Sequence, residues 1–159
     1  MFNSKIKSTR NKSIFKLNPP ISIKTNKVKL LYPLQQNFNN IILKTEFLET
    51  NDPIYTKIKE LEQYYFDKFK QYLDDNYYNK QVTLQSQINQ IKQFKPYLIS
   101  KVFKKGNKII TKVSKDSNEI NLFDLQKDNI FTMEIVIDNF WISNNNEVVI
   151  KWKISNIYV

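Results

Sequence analysis

Eight side chains carry the densest chemistry in this sequence. Tyr97, Lys101, Phe103, Lys104, Lys105, Lys108 and Lys112 fall within sixteen residues, and Trp141 stands apart beside a polar turn. A lysine that meets a phosphate releases a condensed counterion. An aromatic face stacks on a base of any identity, worth roughly 1–3 kcal/mol per base. Lysines tracking phosphates and rings stacking on bases are the two interactions that grip a single-stranded nucleic acid. The five lysines are therefore the candidate phosphate track, and Tyr97, Phe103 and Trp141 the candidate stacking faces. Any one of these rings can instead belong to the core.

Other chemistry is poorly supplied. The chain has no His and no Cys, which removes imidazole acid–base work, thiol nucleophiles, zinc fingers and disulfides. It has one glycine, Gly106, whereas phosphate-cradling loops need several for close backbone approach. Asp74 and Asp75, with Asp67 upstream, are adjacent acids at a helix end that point in different directions, so they read as a solvated terminus. A Ser or Thr nucleophile would have only Lys as its base. The expectation is a non-enzymatic protein with no metal and no cofactor.

The charge is blocked along the chain. The net charge is +10. Residues 1–45 hold nine basic residues and no acid, and residues 76–115 hold nine lysines and no acid. The stretches 46–75 and 116–159 each carry a net −4. Codons rich in A and T explain the abundance of Lys, Asn, Ile, Phe and Tyr and the absence of Ala. They do not explain forty residues without a carboxylate. Such blocks favour a polyanionic partner.

These residues need elements to position them. Residues 1–20, basic and closed by Pro19-Pro20, read as a flexible tail. Residues 21–159 read as one domain of mostly β structure. Val28, Leu30, Tyr32 and Leu34 alternate, and 41–48 is β-rich. Asp52-Pro53 is an N-cap followed by proline at the first helical position. It opens one long helix, an insertion at about 53–75. Its apolar stripe is Ile54, Ile58, Leu61, Tyr65, Phe69 and Tyr72. Residues 77–96 are ambiguous between a short helix and a polar loop.

Beyond them, Tyr97–Phe103 and 108–114 flank a turn at Gly106 and suggest a hairpin. In that hairpin Tyr97, Lys101 and Phe103 share a face. Ile130–Ile142 and 148 to the terminus alternate around Asn144-Asn145-Asn146, a second hairpin. Trp152 has the parity of Val148, Ile150 and Ile154 and reads as core. Trp141 has the parity of Ile135 and Ile137, yet its place beside the turn suits an edge stacking platform. With one helix to cover so many strands, a small OB-like barrel is the economical way to remove sheet edges, with an α+β sandwich as the alternative.

The segment Phe94-Lys95-Pro96-Tyr97, the Lys-rich hairpin, Phe140-Trp141 and Trp152-Lys153 resembles the OB-fold single-stranded-DNA-binding proteins of nucleocytoplasmic large DNA viruses, over about residues 94–159. The resemblance implies a partner in single-stranded DNA, with RNA as the alternative. It also implies a place in DNA replication, recombination or repair, and contacts with replication proteins or a second copy of the chain. The chain ends Ile157-Tyr158-Val159, so recruitment through an acidic C-terminal tail is not expected. No apolar run approaches the ~18–20 residues that span a bilayer, and residues 1–17 lack the apolar centre of a secretory signal. The expectation is an intracellular protein with no membrane partner. The second functional expectation is a structural or assembly virion component that meets nucleic acid or an acidic partner through its basic N-terminal tail.

Overall fold

The computed structural model describes residues 2–9, 12–37, 40–76, 78, 80–90 and 95–159. Arg10, Lys92 and Phe94, which belong to the segments named above, lie outside them. The N-terminal stretch is not a tail. Phe2–Thr9 (β1) and Lys12–Lys24 (β2) are antiparallel partners, and β2 pairs with the long C-terminal strand over Lys12–Lys16 and again over Ile21–Lys24. The reason is a period-two pattern diluted by lysines and by Pro19-Pro20. Phe15 and Leu17 are buried on either side of exposed Lys16, and Ile23 is buried beyond the prolines.

The next strands are Val28–Leu30 (β3), Gln35–Asn37 (β4) and Asn40–Phe47 (β5). On β5 the alternation is complete. Ile41, Leu43, Thr45 and Phe47 face inward, while Ile42, Lys44 and Glu46 face outward. The helix α1, Pro53–Asp75, follows as its signals require. Asp52 Oδ1 accepts the Ile54 N–H at 2.8 Å, and Pro53 occupies the first turn. Its buried side carries Ile58, Glu62, Tyr65, Phe66, Phe69 and Leu73. Phe69 packs edge-on against Phe15 and Phe140, at 5.2 and 5.1 Å between centroids.

The described part of the ambiguous stretch after the helix holds two short strands, Thr83–Gln85 (β6) and Ile88–Asn89 (β7). Tyr97–Val102 (β8), Lys104–Lys105 (β9), Lys108–Ile109 (β10), Lys112–Lys115 (β11) and Asn118–Ile120 (β12) come next. Ile130–Ser143 (β13), Glu147–Ile150 (β14) and Lys153–Tyr158 (β15) complete the chain. The chain is thus mostly β with one α-helix among the described residues. Five strands close a barrel-like ring in which β13, β3, β5, β8 and β15 each pair with the next, and β15 returns to β13. Buried side chains such as Leu30, Leu43, Leu98, Met133, Ile135 and Ile154 form its interior. Among the described residues no helix is long and apolar enough to cross a membrane.

The hairpin expected from residues 97–103 and 108–114 exists only at its tip. Gly106, at φ 62°, turns the chain between β9 and β10, which pair Lys105 with Lys108 and Lys104 with Ile109. Below the tip the arms part. The last strand, β15, lies between them, parallel to both β8 and β11. Thr111 secures the fork: its hydroxyl accepts the Phe103 N–H at 2.8 Å and donates to the Ile154 carbonyl.

Candidate nucleic-acid interface

The outer face of β8 presents Tyr97, Ile99 and Lys101, with Phe103 continuing the line just past the strand, while Leu98, Ser100 and Val102 point inward. The expected shared face of Tyr97, Lys101 and Phe103 is therefore present, and none of the three is core. Register brings other residues beside them. Ile42 lies opposite Lys101, Lys44 opposite Ile99, and Lys153 on the other side of Lys101.

Trp141 joins this face through a break in strand register. On β13, Ile135 and Ile137 are buried, and then both Asp138 and Asn139 are half-buried. The pairing with β2 shifts register between Ile137 and Asn139. There Asp138 alone faces four β2 residues, 17–20, and with two half-buried residues in succession the alternation reverses, so Phe140 and Ile142 go inward and Trp141 outward. The parity that aligned Trp141 with Ile135 fails for this reason, while its place on an outer surface holds. Trp152 is fully buried, as its own parity required.

Here lysines and rings interleave. The Lys101 and Lys151 ammonium groups lie 5.3 and 5.8 Å from the centre of the Trp141 ring. Lys153 lies 5.0 Å from the Phe103 ring. Lys44 lies between Tyr32 and Tyr97, at 5.7 and 6.0 Å. These distances are within reach of cation–π attraction. The Tyr97 hydroxyl accepts from Asn89 Nδ2 at 2.8 Å, which fixes its ring against β7.

Two adjoining depressions make a groove over this surface, sharing Ile42, Gln87, Ile99 and Lys151. Its floor is Ile42 and Lys44 of β5 with Ile99 and Lys101 of β8. One wall is the segment 85–90, and Trp141, Asn40 and Gln35 complete the lining. Among the described residues no Asp or Glu lines it. The outward acids near its ends are already paired: Glu46 with Lys29 at 3.0 Å and Asp138 with Lys153 at 2.6 Å.

The wall is braced from below by a carboxylate that charge counting along the sequence passed over. Glu62, on the buried side of α1, accepts from Ser86 Oγ at 2.7 Å, from the Gln87 N–H at 3.1 Å and from Trp152 Nε1 at 3.2 Å. Burial pushes its carboxyl above the usual range, and the three hydrogen bonds oppose that shift. The apolar period of the helix held a hint, because Glu62 follows Ile58 by four residues.

The eight candidate residues do not form one cluster. Tyr97, Lys101, Phe103 and Trp141 lie on or beside the groove face. Lys104, Lys105 and Lys108 are on the β9–β10 tip beyond Phe103, with Lys105 and Lys108 exposed. Lys112 is exposed on β11, separated from β8 by β15. Lys44, Lys151 and Lys153 were missing from the candidate set. Lys151 and Lys153 sit in an acidic stretch of sequence, and only strand pairing brings them here. Among the described residues no three acidic side chains gather as a metal site. No family model, curated protein or solved structure matches the chain.

Proposed function

We propose that the protein binds single-stranded nucleic acid, DNA in the first place, without catalysis, along the groove that crosses β5 and β8. The single observation that carries this reading is the lining: Lys44, Lys101, Lys151 and Trp141, without one carboxylate among the described residues. A nucleotide carries a flat base and an anionic phosphate close together. A ring with two ammonium groups within 6 Å of its centre matches that pairing. On binding, the ammonium groups move to phosphates and the indole face takes a base. The outer face from Tyr97 to Phe103 is about 20 Å long at the usual rise per strand residue, enough for several nucleotides. The basic tip at Lys104, Lys105 and Lys108 extends the track.

The role that fits such a binder is to coat or protect exposed strands in DNA replication, recombination or repair, as the viral resemblance implied. The competing reading, an assembly protein acting through a basic tail, has less support because Lys12–Lys24 is a strand of the sheet.

Titration with oligo-dT at two salt concentrations, read by tryptophan fluorescence, tests the proposal. Binding should weaken with salt and exceed that of a duplex of equal length. An RNA oligomer measures how far the sugar matters, since only a contact to the 2′-hydroxyl separates the two. No binding at low salt, or equal affinity for single strand and duplex, overturns it.

A further inference from the structure

We propose, resting on the single-strand reading above, that the corner between β3 and β4 carries a second nucleobase subsite, with Tyr32 as its stacking face. The bound strand then crosses the sheet from Trp141 to Tyr32. The exposed aromatic side chains among the described residues are Tyr32, Tyr64, Phe123 and Tyr158. Only Tyr32 has a groove lysine over its ring: Lys44 lines the groove and holds its ammonium group 5.7 Å from the ring centre. The lysines over Tyr64 and Tyr158 are Lys68 and Lys24, which lie outside the groove. At the other end of the groove Lys101 and Lys151 flank Trp141 in the same manner. A ring and a groove lysine thus meet at both ends, and each set offers one nucleotide a flat face and a cation.

The backbone explains why Tyr32 stands out. Sequence parity groups it with Leu30 and Leu34, yet Leu30 is buried and Tyr32 is 49% exposed. The Leu31 N–H donates to the Lys44 carbonyl at 3.0 Å, and pairing with β5 resumes where Gln35 faces Ile42. Tyr32, Pro33 and Leu34 are therefore set against Leu43 alone. Leu34 packs on the core and anchors the corner, while the Tyr32 ring projects beside Lys44. On β5, Ile42 faces Lys101, and the corner flanks Lys44 on the opposite side of that strand. Two strand spacings and two residues separate Lys101 from the corner, about 12 Å. At the ~3.4 Å spacing of a stacked strand this is room for on the order of three nucleotides. Stacking tolerates any base, so the second subsite sets the footprint and not the sequence.

The test measures binding of oligo-dT to the full chain. Tyr32→Ala should bind about tenfold more weakly, within the range for one lost stacked base, with the slope against salt unchanged. Tyr32→Phe should bind as the wild type does, because the ring face and not the hydroxyl is used. Tyr32→Ala combined with Trp141→Ala should lose the product of the two single factors, since sites this far apart act independently. Wild-type affinity in Tyr32→Ala overturns the subsite and leaves the single-strand reading standing. A lower salt slope in Tyr32→Ala also overturns it, because Tyr32 would then only hold Lys44 in place for a phosphate. An equal loss in Tyr32→Phe and Tyr32→Ala replaces stacking with a hydrogen bond and overturns it too. No binding of oligo-dT by the wild type overturns the single-strand reading itself. If Tyr32→Ala does not fold, Tyr32→Trp in a Trp141→Phe background decides. Its fluorescence should change on adding oligo-dT, and a constant signal rejects the subsite.

Discussion

The indole N–H of Trp152 donates to Glu62 Oε1 at 3.2 Å, across ninety residues of sequence. This bond ties the middle of the single helix to the linker between β14 and β15. The same carboxylate holds Ser86 and Gln87, so the groove wall, the helix and the C-terminal hairpin share one buried acceptor.

That carboxyl sets a pH dependence. Its pKa in the folded protein lies above the ordinary 4.5 because of burial. The native state therefore binds more protons than the unfolded chain as pH rises past the ordinary value, and stability falls across that window. The contribution is fully present below the unfolded pKa and lost as pH rises through the raised one. Glu62→Gln cannot ionise, and its amide can accept from Gln87 and Trp152 while donating to Ser86. Urea midpoints from acid to neutral pH should show the wild type losing stability relative to Glu62→Gln as pH rises. A constant difference between the two proteins would disprove the linkage. Glu62→Ala should cost more at every pH, about 1–3 kcal/mol for each buried donor it orphans.

The two tryptophans should respond oppositely to ligand. Trp141 is half-buried on the groove and Trp152 is fully buried beneath it. Trp141→Phe should abolish the fluorescence change on adding oligo-dT, and Trp152→Phe should retain it. Trp141→Ala should weaken binding by about 1–3 kcal/mol, one stacked base, with the slope against salt unchanged. A full fluorescence response from the Trp141→Phe protein would place the ligand elsewhere.

Lysines should rank by place in the fold rather than by place in the sequence. Lys151→Ala and Lys44→Ala should each lower the salt slope by about 0.7, the value for one phosphate contact on a single strand. Lys112→Ala, on the far side of β15 from β8, should lower it less. Salt titrations of the three variants test the order. A larger loss at Lys112 than at Lys151 would move the phosphate track to β11 and away from the groove.

The N-terminal strand should behave as core. Leu17 is 1% exposed on β2, so Leu17→Ala should destabilise the protein by about 2–5 kcal/mol. Thermal or urea unfolding measures this directly. A mobile tail would tolerate the change without a shift.

Much of the scaffold was legible because local rules suffice for it. The helix announces itself at Asp52-Pro53 and by its 3–4 spacing. The inward residues of β5 and β8 follow strict alternation, and so does the inner half of β13. The buried position of Trp152 and the shared face of Tyr97, Lys101 and Phe103 need only the period of a strand. Lys and Pro obscured the strand in residues 12–24, where two apolar pairs alternate too briefly to outweigh the tail-like composition.

Sequence alone determined the long helix, the strands β5, β8 and β13, the outward face of β8 and the charge blocks. Three things waited for tertiary structure, each because it depends on contacts between distant segments. The register break at Asp138 and Asn139 arises where β13 meets β2, and beyond it Trp141 turns outward. The insertion of β15 between β8 and β11 parts Lys112 from Lys101 and brings Lys153 beside it. Lys151 reaches Trp141, and Glu62 reaches Ser86 and Trp152, only when the hairpin and the helix close over the ring. A groove without carboxylates among the described residues is a property of pairing. It combines lysines from two basic blocks and an acidic stretch, which no count along the chain could assemble.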